Sequence, residues 1–194
     1  MSRTEMILDE FTQLSIQIQE IQKRLSSLEL EMVKPTKQSL TKENLLLMTR
    51  TQIQALSFHD ILLACRKTQV VVNTGKGDCL FLSLGYLLDI DPTILRLSAI
   101  SFIIENYEHY KNYLLKSDGT AYKNSEEYFN IMSSPTSYGD HVVLEVLCKL
   151  YRVNAFIVVL GSQGKLEEPI YIKVEGGRDV FLKFTKEYHY EAIE

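Results

Sequence analysis

The chain has 194 residues, 45% of them hydrophobic, enough to bury one good core of ordinary domain size with an appendage left over. Its formal net charge of -4 argues against a nucleic-acid binder, whose affinity depends on Lys and Arg clustered along a phosphate track, and no basic stripe occurs. Three cysteines without a C-x-x-C spacing disfavour both a disulfide framework and a zinc site.

Met1-Ser2-Arg3-Thr4-Glu5 leads into an amphipathic stretch with no basic region or apolar h-region, so no secretory signal is expected. The longest apolar run, 155–160, is too short to span a bilayer. The expectation is a soluble, cytoplasmic protein without membrane contact, a host cell being its setting if the source is a pathogen or virus.

From Ile7 the apolar residues fall at Ile7, Phe11, Leu14, Ile18, Ile21, Leu25, Leu28 and Met32, the a and d positions of a heptad repeat. With Phe11, Ile18, Leu25 and Met32 as a, Arg24 stands at g, where it can pair with Glu29 at e of a parallel partner. A coiled coil is expected over residues 1–34, with a homodimer or a partner helix meeting residues 7–32. A single helix laid on the molecule's own globular part satisfies the same stripe. Pro35 ends the helix.

Residues 35–66 read as a linker and short helices, one over 40–48 and one opened by the capping box at Ser57 to Asp60. The domain proper is expected over 67–194. Val70 to Val72 reads as a buried strand, and Gly75 to Ser83 turns from a glycine loop into an apolar helix. Asp91-Pro92 starts a helix whose apolar face reads as Ile94, Leu97, Ile100 and Ile104, carried toward Tyr113 and stopped at 116–119. A helix around 126–131 follows, and Asp140 caps another that holds Val143, Leu144, Leu147 and Leu150. Then the period changes: 153–160, 170–174, 180–184 and 188–193 are short β-branched and aromatic runs split by glycines. The fold class is α/β (α+β), with helices packed on a small mixed or antiparallel sheet.

Cys79 stands where the glycine loop meets the helix, and a helix start favours a thiolate because its unpaired amides and dipole stabilise negative charge. Gly75 and Gly77 let the loop turn amides toward a bound carbonyl, as an oxyanion hole requires. The same cysteine also reads as a small buried core residue. A P-loop is disfavoured, because the earlier glycine and the Ser/Thr after lysine are missing.

His189 is the candidate base. Residues two apart on a strand share a face, so Glu191 falls where its carboxylate can orient the ring. His141, beside Asp140 and one turn before Glu145, competes for the role or for a metal but reads better as a helix-cap residue. His59 and His109 have unremarkable neighbours.

These residues resemble the ovarian tumour (OTU) family of cysteine proteases, which remove ubiquitin from proteins. The likeness rests on 75–83, on 138–147 with 151–156, and on His189-Tyr190, in the family's order and spanning Val70 to the C-terminus. It implies a papain-type cysteine protease fold, Cys79 as nucleophile, His189 as general base, Glu191 as third catalytic residue, and oxyanion amides from Gly75, Lys76, Gly77 and Asp78. It calls for no metal or cofactor. The expected partners are conjugates of ubiquitin or a ubiquitin-like protein. Two positions depart from the family: Lys76 replaces its usual aspartate, and Glu191 its usual Asp or Asn. The alternative is therefore a catalytically impaired OTU-like module that holds ubiquitin, with a self-associating helical arm.

Overall fold

The computed structural model describes residues 17–22, 24, 40–185 and 188–194. The chain divides into two units, Met1–Ser39 and Leu40–Glu194. In the first, residues 17–22 and 24 are helical, and Arg24 pairs with Glu20 one turn back at 3.3 Å. Ile18 and Ile21 of the heptad are exposed there. Ile7, Phe11, Leu14, Leu25, Leu28 and Met32 lie outside the described residues.

The second unit is built on a five-stranded mixed sheet. Its strands are β1 (Val70–Val71), β2 (Val153–Leu160), β3 (Ile170–Ile172), β4 (Arg178–Thr185) and β5 (His189–Ile193), in the order β1-β5-β4-β2-β3. Strands β2 and β4 run parallel and every other pair is antiparallel. The expected mixed sheet of C-terminal strands is thus borne out. Val70 to Val72 does not form the buried strand expected: β1 is a two-residue edge, and Val72 is exposed.

Alternation along β2 divides the core in two. Val153, Ala155, Ile157 and Val159 face one cluster, whereas Phe156 and Val158 face the other. The larger cluster is covered by α4 (Cys79–Leu88), α5 (Pro92–Glu105), α7 (Ser125–Met132) and α8 (His141–Tyr151), with the short α6 (Tyr107–Tyr110) at its edge. The smaller is covered by α1 (Lys42–Leu47), α2 (Arg50–Gln54) and α3 (Phe58–Ala64), through Leu45, Ile53 and Ile61. Residues 40–65 therefore belong to the same compact unit as the sheet. These helices cover Phe156, Val158 and Phe181 on that face of the sheet.

Local signals set the helix starts. Thr41, Thr49 and Ser57 each form a capping box, and Asp91 and Asp140 accept amides of Thr93 and Val143. The inner face of α5 differs from the expected Ile94, Leu97, Ile100 and Ile104. On α5 the buried residues are Leu95, Arg96, Ala99, Ile100 and Ile103, while Ile94 and Leu97 are exposed. The helix is apolar nearly all round, so periodicity alone does not select its inner side.

Candidate active site

The turn at Gly75 to Asp78 delivers Cys79 as the first residue of α4. A side chain at Gly75 would lie 2.7 Å from the Cys79 main-chain nitrogen, and Gly77 has a φ of +108° with the Thr136 backbone 2.2 Å from where its Cβ would sit. Both glycines are thus required by close backbone approach, one to the cysteine itself and one to the 134–137 loop. Asp78 stands at the N-cap without a side-chain hydrogen bond to the helix, so the first-turn amides have no cap. Lys76 is exposed.

Cys79 is 1% exposed, and its sulfur contacts polar main chain. Sγ donates to the Tyr188 carbonyl at 3.7 Å and accepts from the Tyr190 N–H at 3.5 Å. These are the main-chain groups on either side of His189. One turn further along α4, Ser83 Oγ donates to the Tyr190 carbonyl at 3.1 Å, and Asn73 Nδ2 donates to the same oxygen at 2.8 Å and to Ser83 Oγ at 3.0 Å. Asn73 Oδ1 also accepts the Gly75 N–H at 3.1 Å, an Asx-type turn that opens the cysteine loop. Residues 79 and 83 lie four apart on one helix face, so α4 is fixed against the start of β5 by polar contacts at successive turns.

Tyr188 adopts a left-handed φ of 60°, a conformation that costs a residue with a large side chain, and its carbonyl is thereby turned to the sulfur. Beside it opens a cavity of about 590 Å³ lined by Lys116, Tyr122, Met132, Tyr138, Asp140 and Tyr188. Burial pushes the Tyr190 phenol up to about 12 and holds the Asp140 carboxyl above its usual range.

The structure brings Cys79 to the backbone of His189, and among the described residues no hydrogen bond joins Glu191 to the His189 ring. Glu191 is buried, and its Oε2 accepts from Lys183 Nζ at 2.5 Å. Lys183 stands directly opposite Glu191 in the antiparallel β4/β5 register, and cross-strand neighbours of opposite charge meet more closely than residues two apart on one strand. Among the described residues, no hydrogen bond holds the His189 ring. His141 is the exposed first residue of α8, capped by Asp140, and Glu145 pairs with Lys149, in keeping with a helix-start role. Among the described residues no group of three metal-ligating side chains occurs. Cys65 and Cys148 are buried thiols whose pKa values burial pushes up to about 12.

Sequence reasoning missed Asn73, Ser83, Tyr188 and Arg96. The turn-like Asn-Thr-Gly run was a signal for the first, and an arginine in phase with Ala99, Ile100 and Ile103 was one for the last.

The architecture of the second unit recurs in solved structures. The OTU domain of OTUD1 superposes with a TM-score of 0.53 at 13% identity, covering 64% of this chain and 84% of that one. The viral OTU domain protease of Dera Ghazi Khan virus gives 0.53 at 19% identity, covering 66% and 81%. This is an OTU fold. A third OTU structure, the deubiquitinase from Wolbachia pipientis wMel bound to ubiquitin, gives 0.52 at 17% identity and covers 65% of this chain and 94% of that one. In sequence, the chain is 28% identical over 152 residues to the putative ubiquitin thioesterase L96 of Tipula iridescent virus, covering 69% of this chain and 17% of that protein. The chain thus spans less than a fifth of that relative's length. No family model matches it. The OTU fold expected from the sequence is borne out.

Proposed function

We propose that this chain is a cysteine isopeptidase that releases ubiquitin or a ubiquitin-like protein from conjugates, with Cys79 as nucleophile and His189 as general base. One observation carries the reading: in an OTU fold, the Cys79 sulfur lies at an uncapped helix start between the two main-chain groups that flank His189. The likeness to a putative ubiquitin thioesterase supports the choice of substrate, as does the ubiquitin bound to the Wolbachia OTU protein.

In this mechanism Sγ loses its proton to the imidazole and attacks the carbonyl carbon that joins ubiquitin's C-terminal glycine to a lysine amine. The oxyanion rests on amides of the Gly75 to Cys79 turn. The imidazolium then protonates the leaving amine, and the resulting thioester is hydrolysed by water that gives its proton to the same ring. Because Cys79 is buried against Tyr188, substrate entry displaces the exposed Tyr188 turn from the sulfur.

The setting proposed is the cytoplasm, where all three cysteines remain thiols. The heptad of residues 7–32 is proposed to pair two copies of the chain.

The test is a ubiquitin carrying a C-terminal propargylamide, whose alkyne is captured by the thiol as a stable vinyl thioether. Peptide mapping is expected to find the adduct on Cys79. Absence of the adduct on folded protein overturns the reading in favour of a binding module.

A further inference from the structure

Arg96 is 4% exposed, although it carries a charge, and lies in the second turn of α5. A buried guanidinium is normally neutralised by a carboxylate. Here no ion pair reaches it among the described residues. Its charge is met by four backbone carbonyls and an aromatic face. Nη1 donates to Met132 at 3.1 Å and to Ser137 at 2.8 Å; Nη2 donates to Gly77 at 3.1 Å and to Pro135 at 3.3 Å. The guanidinium carbon lies 4.0 Å from the ring centroid of Phe81, on the first turn of α4.

Three of the carbonyls belong to the 132–137 segment and the fourth to the turn that precedes Cys79. The planar fork therefore joins two loops distant in sequence, and the stacked ring joins both to the nucleophile's helix. The second point of contact is independent of it: Gly77 lies so close to the Thr136 backbone that no Cβ fits between them. Ser137 Oγ donates to the Ile131 carbonyl at 2.6 Å and closes the segment on itself. Thr136 and Ser137 also line the cavity beside Tyr188. Burial lowers the pKa of Arg96, whereas the nearby negative charges of Asp78 and a thiolate at Cys79 raise it.

We infer that Arg96 is a positioning residue, which holds the Gly75 to Cys79 turn in the shape that receives the oxyanion by clamping Gly77 to the 132–137 segment. This rests on the isopeptidase reading. Arg96 does not touch the substrate; it fixes the backbone that does. Lysine cannot replace it, because one ammonium cannot meet four carbonyls from a plane while stacking on a ring.

The test compares full-length wild type, Arg96→Met and Arg96→Lys by hydrolysis of a C-terminal fluorogenic amide of ubiquitin, by the alkylation rate of Cys79 with iodoacetamide, and by thermal unfolding. In Arg96→Met, kcat is expected to fall about a hundredfold with KM within about threefold, as for a misplacement of catalytic geometry by an ångström. Alkylation, which forms no oxyanion, stays near the wild-type rate, and Arg96→Lys restores little turnover. A folded Arg96→Met with wild-type kcat overturns the inference. So does a parallel fall of kcat and alkylation, since that reports general loosening of the helix. If Arg96→Met does not fold, Arg96→Lys decides between the same outcomes: low kcat with normal alkylation supports the clamp, and wild-type kcat removes it. A wild type without turnover on the ubiquitin substrate and on the corresponding amides of ubiquitin-like proteins defeats the isopeptidase reading, and the inference with it; active wild type with unaffected variants defeats the inference alone.

Discussion

Lys183 Nζ and Glu191 Oε2 lie 2.5 Å apart across the β4/β5 pair, with the Glu191 side chain buried and that of Lys183 about one-fifth exposed. The carboxylate is committed to the lysine. Glu191→Gln is therefore expected to lower stability in urea by about 1–3 kcal/mol, the cost of leaving a partly buried charge without its partner. Its kcat on a ubiquitin fluorogenic amide should stay within about fivefold of wild type, against a loss of roughly 10³-fold or more for His189→Ala. Equal losses for the two variants would return Glu191 to the imidazole.

Gly77→Ala should be the most damaging of the glycine changes. It adds a Cβ at 2.2 Å from the Thr136 carbonyl oxygen and demands a left-handed φ. A cost above about 2 kcal/mol in urea denaturation is expected, with loss of turnover. Gly119→Ala serves as the control: its φ is +80°, but nothing lies within 4 Å of the added carbon. That variant should lose only about 1 kcal/mol from backbone strain and keep wild-type kcat.

Asp140 links stability to pH. Burial raises its folded pKa above the ordinary aspartate value of 3.8, against the hydrogen bonds from Val143 and Val142 that lower it. For a folded pKa above the unfolded one, the favourable contribution is complete below the unfolded value and is lost as pH rises through the folded value. Asp140→Asn keeps an N-cap acceptor and removes the charge. The variant is thus expected to gain stability over wild type in urea melts at neutral pH and to converge with it below about pH 4. A variant less stable than wild type at pH 7 would mean that the helix dipole outweighs desolvation at this cap.

The proposed pairing of residues 7–32 is checked by mass. Light scattering of the full chain is expected to give twice the monomer mass, and deletion of residues 1–33 to halve it while leaving turnover on a minimal ubiquitin substrate unchanged. The same mass before and after deletion, apart from the residues removed, would return the heptad to a helix serving its own chain.

Much of the site was legible because its signals are local. A glycine turn running into an apolar helix placed Cys79 at the start of α4, and a β-branched, aromatic ending placed His189 at the start of β5. Ser57, Asp91 and Asp140 each announced a helix through a side chain that reaches an amide two or three residues away. Such interactions form within one turn of chain, so their residue types and spacing suffice to read them.

What the residues by themselves determined was this set of elements, and the order in which a thiol, its helix and an imidazole appear along the chain. Tertiary structure alone decided which partners they meet. The β4/β5 register assigned Glu191 to Lys183, and the buried side of an apolar α5 was selected by the carbonyl cage around Arg96. Likewise, α1 to α3 joined the sheet because β2 and β4 leave an apolar face to cover. Each of these contacts joins residues far apart in sequence, and its energy exists only once the intervening chain has folded to bring both sides together.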